Sequence, residues 1–462
     1  MPTPEAPPAS SKDPTAHHAS WRDAWAVYLQ RRVLIVLLLG FSSGLPLALS
    51  GSTLLVWMRE SGVDLGTIGL FALVGTPYTL KFFWAPLVDA LHVPLFTRKF
   101  GRRRGWLVFS QLLLIGAILL LALTDPARSP LFVALGALLV AAMSATQDIV
   151  VDAFRVESLP ESEQAAGMAA YVAAYRIGML VSTAGALFLV SGFESTGLAR
   201  SSAWMWGYAA MAALVLIGTV TALAATEPEQ SARAEAATST ETAFTRVIGT
   251  AVGAFSEFLV RKDALAALAF VVLFKFTDAF SGTMTAPFVI DLGFSRNDYA
   301  AIVKGVGLAA TLIGGFAGGF VARRYSLAAS LWIGGVLQAV ANLSFSWLAM
   351  VGVNQWALAF AITTENFTSA IGTVIFVAYL SALCKNPLHT ATQYALLTAL
   401  AAVGRTYLSS GAGYVAKAVG WPLFFALCVV VAVPSLILLA WLQRRRHFET
   451  LEPPLAISRE SG

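Results

Sequence analysis

Apolar residues along this chain gather into about twelve stretches of roughly 18–28 residues between Val33 and Leu442, parted by short polar loops. A run of about 20 apolar residues spans the hydrocarbon of a bilayer, and a helix satisfies its own backbone there. The pattern predicts membrane helices over 33–57, 66–87, 105–124, 130–154, 164–191, 202–225, 264–290, 298–321, 328–350, 355–383, 390–416 and 420–443. The expected fold class is therefore all-α integral membrane, with twelve transmembrane helices. One long hydrophilic stretch, 226–263, rich in Ala, Thr, Glu and Ser, interrupts the series. It divides the chain into six-helix units over 33–225 and 264–443, with tails at 1–32 and 444–462, and reads as a linker between two lobes.

The two units echo one another. The loop after the second expected helix begins Ala85-Pro86-Leu87-Val88-Asp89 and continues to Gly101-Arg102-Arg103-Arg104; the loop after the eighth carries Arg323-Arg324. Arg176 in the fifth helix and Arg405 in the eleventh lie about half a chain apart. A duplicated six-helix unit with a basic loop between its second and third helices is similar to the major facilitator architecture, two pseudo-symmetric six-helix lobes. Its compact Gly-x-x-x-Asp-Arg-x-Gly spacing is interrupted here by Ala90 to Phe100.

Composition sharpens the reading. The chain is 57% hydrophobic and 12% charged, with a mean hydropathy of +0.71, where soluble domains carry roughly 25% charge. Most of the 31 Lys and Arg fall on the side of the two termini, including Arg31, Arg32, residues 98–104 and Arg444 to Arg446. By the positive-inside rule both termini of this multi-pass protein are expected in the cytoplasm. The net charge of +5 then reports topology and attraction to lipid headgroups, not nucleic acid. Residues 1–30 have no apolar signal core and read as a disordered tail.

Enzyme chemistry finds no foothold. No P-loop, H-E-x-x-H or G-x-S-x-G motif occurs, and the five histidines fall in expected tails or loops. Cys384 and Cys428 make no disulfide or metal pattern. No cofactor and no metal are expected.

Charges inside helices are the informative residues, since each costs roughly 2.5–3.5 kcal/mol at a helix centre on the insertion scale. The basic ones are Lys81, Arg176, Lys275, Lys304 and Arg405; the acidic ones are Asp148, Asp152, Asp278 and Glu365. Arg176, Lys275, Asp278, Glu365 and Arg405 lie deepest, at the midplane where secondary transporters bind their solutes. In the fourth helix Asp148, Asp152 and Arg155 recur at i, i+4 and i+7 on one face. Neighbouring carboxylates raise the proton affinity of one of them, which makes Asp148 a proton-coupling candidate; Glu365, with no basic partner nearby in sequence, and Asp278, unless Lys275 at i−3 simply neutralises it, are the others. A cytoplasmic gate is expected from Asp152, Arg155 and Glu157 with Asp89, Arg102 and Arg103. Arg176, Lys275, Lys304 and Arg405 suit a ligand with carboxylates or phosphates, and Gln147, Asn366 and Gln393 offer amides beside them. Mutual pairing of these acids and bases is the competing structural reading.

Several segments together carry a resemblance. They are Gly40-Phe41-Ser42-Ser43-Gly44-Leu45-Pro46, residues 81–89, the ATQDIVVDAFRVE of 145–157, Tyr175-Arg176, Lys275-Phe276-Thr277-Asp278, Glu365-Asn366, and 391–397 leading to Gly404-Arg405. Across 33–443 the chain resembles the AmpG-type muropeptide permeases, in the peptide/acetyl-coenzyme A transporter branch of the major facilitators. The resemblance implies proton-driven import of GlcNAc-1,6-anhydro-MurNAc, with or without a stem peptide, for wall recycling and β-lactamase induction. It implies a small anionic substrate, protons and membrane lipids as partners, and a monomer. Some members carry extra helices, for which this chain has no room. Acetyl-coenzyme A or another anionic solute, or a non-transporting sensor of wall fragments, are the alternatives.

Overall fold

The computed structural model describes residues 27–228, 262–383 and 390–451, and every regular element there is helical. In the first half, α1 runs Arg31–Leu49 and resumes at Ser52–Glu60. Then α2 is pieced together from Leu65–Leu70, Phe71–Gly75, Thr76–Leu80, Lys81–Phe83 and Ala85–Ala90. Next come α3 (Arg102–Ala122), α4 (Pro130–Ser158), α5 (Glu161–Leu180, Val181–Gly185, Ala186–Ser195) and α6 (Arg200–Ala224). In the second half, α7 spans Ala264–Gly282 and Thr285–Asp291, and α8 spans Arg296–Asp298, Tyr299–Val306 and Gly307–Arg324. It closes with α9 (Leu327–Val351), α10 (Gln355–Leu383), α11 (Thr390–Tyr407, Leu408–Gly411, Ala412–Val419) and α12 (Trp421–Arg444).

Ten helices among the described residues are long and apolar enough to cross a membrane. The two expected crossings outside that number, α2 and α11, are helical but broken. In α2 the cause is written in the sequence: Pro77 and Pro86 each sit at the start of a new piece, because proline cannot donate into the preceding turn. Most of the expected linker, 229–261, lies outside the described residues.

Helix starts follow side-chain chemistry. The Asp64 carboxylate accepts from the amides of Gly66 (3.1 Å) and Thr67 (3.3 Å), opening α2. A hydrogen bond from the Thr67 hydroxyl, above all, holds that carboxyl below its usual range. Ser295 and Asp298 cap each other at the start of α8.

Small residues set the closest packing within each half. A Cβ on Gly44 of α1 would lie 2.1 Å from the Tyr175 carbonyl of α5, and one on Gly178 2.3 Å from the Phe41 carbonyl. In the second half a Cβ on Gly314 of α8 would meet the Phe367 carbonyl of α10 at 2.3 Å. Backbones approach this closely in membranes because dispersion, not hydrophobicity, drives helix association.

The start of α1 and the end of α12 lie on one face, the termini face. On the opposite, far face a single apolar cluster joins the halves, running from Leu49, Trp57 and Trp204 to Phe288, Phe345 and Phe425. On the termini face each half keeps its own cluster, around Phe270 and Tyr379 in one and around Leu107 and Phe154 in the other. The two lobes are thus sealed on the far face and part toward the termini face. Overpacking of this kind costs about 1–3 kcal/mol or more, so Gly44→Leu should lower the thermal midpoint of the purified protein. Gly116→Leu, whose Cβ would point into open space, should leave it unchanged.

Candidate functional site

A cavity of about 440 Å³ lies between the lobes, lined by residues of α1, α2, α7, α8, α10 and α11. Its wall coincides with the irregular backbone. The break at Ser50 and Gly51 in α1 and the tight turn Phe71–Gly75 in α2 line it from one lobe. The break at Thr283 in α7 and the wide turn Tyr299–Val306 in α8 line it from the other. Non-helical backbone at membrane depth is tolerated where it faces a wet cavity, and broken helices mark binding sites in secondary transporters.

Lys304, Glu365, Asn366 and Arg405 line this cavity, with Tyr78 and Thr406 beside them. Asn366 Nδ2 donates to Glu365 Oε2 and to the Ile362 carbonyl, each at 3.0 Å, and its Oδ1 accepts from Thr311 at 3.2 Å. This fixes the Glu365 carboxylate from one side. The Lys304 ammonium sits over the Tyr299 ring at 5.5 Å. Arg405 makes no ion pair to a described carboxylate and is exposed, as is Arg176. Both arginines lie within electrostatic reach of the Tyr175 hydroxyl, which brings the matched pair to one region.

Lys275 and Asp278 are differently placed. Their side chains pair at 3.0 Å; Lys275 also donates to Thr373 (2.8 Å), and Asp278 accepts from Ser369 (2.7 Å). One turn of α7 is thereby tied to α10 by a satisfied network. The sequence offered the i, i+3 pairing but no sign of Ser369 or Thr373, which lie far along the chain.

In the first lobe the polar residues are buried and under-bonded. Gln147 Nε2 donates to Ser43 Oγ at 3.2 Å, while Gln147 Oε1, Asp148 Oδ1, Ser144 Oγ and the Tyr78 hydroxyl have no hydrogen-bond partner within 3.5 Å among the described residues. Asp148 is 8% exposed and makes no ion pair to a described residue, though Lys81 and Asp152 are within electrostatic reach. A buried carboxylate without an ion pair is costly, which makes Asp148 a candidate to take up a proton.

The other gate candidates cluster on the termini face within the first lobe. Glu157 takes the Arg103 guanidinium in a forked contact at 2.6 and 3.0 Å, with Arg102 at 3.8 Å. Asp152 pairs with Arg155 at 3.8 Å. Glu227 accepts from the amides of Arg103 and Arg104, binding the end of α6 to the start of α3. The side chains of Asp89 and Gln393 lie outside the described residues.

Sequence reasoning missed a further set of charges. On the far face Arg296 pairs with Glu60 (2.5 Å) and Glu194 (2.6 Å), and Arg59 pairs with Asp291. Partners 232 and 236 residues apart leave no local signal. Replacing one member of the Lys275–Asp278 pair strands the other. Lys275→Met or Asp278→Asn alone should therefore cost about 3–5 kcal/mol of stability, and the double variant much less. Thermal unfolding of the three variants measures the cycle.

Comparison with known proteins agrees with this arrangement. Residues 36–409 match the profile of the Major Facilitator Superfamily. The chain is 39% identical over 414 residues to the anhydromuropeptide permease of Escherichia coli K12, covering 89% of this chain and 80% of that one. It is 34% identical over 419 residues to putative transporter AmpG 4 of Rickettsia conorii, covering 91% and 98%. In fold it is similar to a nucleoside transporter (TM-score 0.66, 13% identity, covering 92% of this chain and 100% of the other). A peptide-bound POT family transporter is similar too (TM-score 0.65, 11% identity, covering 89% and 96%).

Proposed function

This chain belongs to the Major Facilitator Superfamily and, within it, to the family of the anhydromuropeptide permeases, and from that premise we propose that it imports anhydro-muropeptides from periplasm to cytoplasm by alternating access, driven by protons. It is a multi-pass membrane transporter rather than an enzyme. The observation that carries the reading is the inter-lobe cavity, where Lys304 and Arg405 stand beside Glu365 and Asn366. Two cations facing one carboxylate suit a ligand bearing carboxylates, such as the lactyl group and stem peptide of a wall fragment. Arg176 extends this basic surface and Asn366 meets sugar hydroxyls and amides, while Gln147, buried here against Ser43, and Gln393 do so only once the lobes rearrange. Lys275 reaches a ligand only by giving up Asp278, so its first role is to hold α7 on α10.

Asp148 and Glu365 carry the protons in this reading, since neither makes an ion pair with a described residue. Asp278 joins them when Lys275 is drawn away. The basic termini face is the cytoplasmic one by the positive-inside rule, which makes the described state inward-open. Asp89, Asp152, Arg155, Glu157, Arg102 and Arg103 form the cytoplasmic rim of the first lobe, and the working unit is a monomer in the inner membrane.

The test is uptake of labelled GlcNAc-1,6-anhydro-MurNAc into proteoliposomes under an inward proton gradient, with acetyl-coenzyme A as competitor. Accumulation that an uncoupler abolishes is expected; displacement by acetyl-coenzyme A alone would reassign the solute. A charge-assisted hydrogen bond contributes about 1.5–3 kcal/mol, so Arg405→Ala should cut uptake by roughly 10- to 100-fold. Asp148→Asn and Glu365→Gln should keep solute exchange yet lose gradient-driven accumulation. Full accumulation in both variants would remove the proton assignment.

A further inference from the structure

The far face is held by charges as well as by apolar packing. Arg296, at the start of α8, is 7% exposed. Its guanidinium crosses from the second lobe into the first, to Glu60 at the end of α1 and Glu194 at the end of α5. It lies 5.6 Å from the Trp204 ring, which is itself stacked on Trp57 at 5.5 Å. Arg200 borders the same group, 3.3 Å from Glu194. Alongside, Arg59 of α1 pairs with Asp291 at the end of α7, and Trp421 of α12 donates to the same carboxylate at 3.0 Å. Exposed pairs such as Lys417–Asp64 (3.6 Å) contribute little to holding two bodies together. A buried pair differs, because parting it strands each charge away from water. The far mouth therefore cannot open by degrees at Arg296: the arginine is either seated between both carboxylates or out.

We propose that the Arg296–Glu60–Glu194 triad and the Arg59–Asp291 pair form a latch that keeps the far mouth of the cavity shut, and that their release together is the step exposing the cavity to the far side. Arg296 and the cavity residue Lys304 share α8, eight residues apart and joined by the wide turn Tyr299–Val306. Withdrawal of the latch therefore carries this cavity wall with it. The inference holds whichever solute the cavity takes.

Spin labels at Leu198→Cys and Val353→Cys, both exposed on the far face of opposite lobes, read the opening. The background replaces Cys384 and Cys428 by alanine, and the full chain is held in lipid nanodiscs. The latched protein should give one short distance. In the neutral triad Glu60→Gln/Glu194→Gln/Arg296→Gln, which strands no charge, a longer distance should gain population on the order of tenfold. An unchanged distribution in that variant overturns the latch. Should the triad variant fail to fold, Arg59→Gln/Asp291→Asn is judged by the same criterion.

Discussion

Backbone hydrogen bonding in hydrocarbon governs where this protein can be irregular. Each interruption of a helix frees carbonyls that lipid cannot satisfy. Here hydroxyls at the breaks take them up: Ser50 Oγ donates to the Pro46 carbonyl (3.1 Å), Thr283 to Ala279 (2.7 Å) and Thr183 to Met179 (2.7 Å), and Ser409 to Arg405. Serine and threonine bonding back to their own helix also bend it. The breaks in α1, α2, α7 and α8 converge on the cavity wall, so the constraint that forbids irregular backbone elsewhere concentrates it at the site. Flexible joints and ligand-facing polar groups thus occupy the same turns.

The two lobes use one helical plan with different chemistry. In the second lobe α7 and α10 hold a closed network, Lys275, Asp278, Ser369 and Thr373, in which each charge has an opposite. In the first, α1 and α4 bring together Ser43, Gln147 and Asp148 with acceptors left over. The α7–α10 network is electrostatically complete, whereas the α1–α4 cluster, like Glu365 and Arg405 at the cavity, is not. A carrier needs such open groups, since a group already satisfied has nothing to exchange with proton or solute. The far-face ion pairs add the second requirement, a contact that is strong in one state and absent in the other.

Much of this was legible in the sequence. Apolar run length gave the helical membrane class because the bilayer sets that length. Lys275–Asp278 was legible because its spacing is local. The broken course of α2 was missed, although Pro77 and Pro86 announce it, because hydropathy averages over such breaks. The Arg296 and Arg59 pairs were not legible, since nothing within a helical turn of either names its partner. The burial of His447, packed against Tyr379 and Phe448, was likewise hidden, as its position beyond the last apolar run reads as a tail.

The central claim is that the solute sits between the lobes, against the irregular turns, with its acidic groups on Lys304 and Arg405. A structure of the protein with GlcNAc-1,6-anhydro-MurNAc bound tests it most directly. The account predicts ligand density inside the inter-lobe cavity, with a carboxylate within hydrogen-bond distance of Arg405 or Lys304 and both lobes in contact with the ligand. Density confined to one lobe, or lying at the rim among Arg102, Arg103 and Glu157, would contradict it.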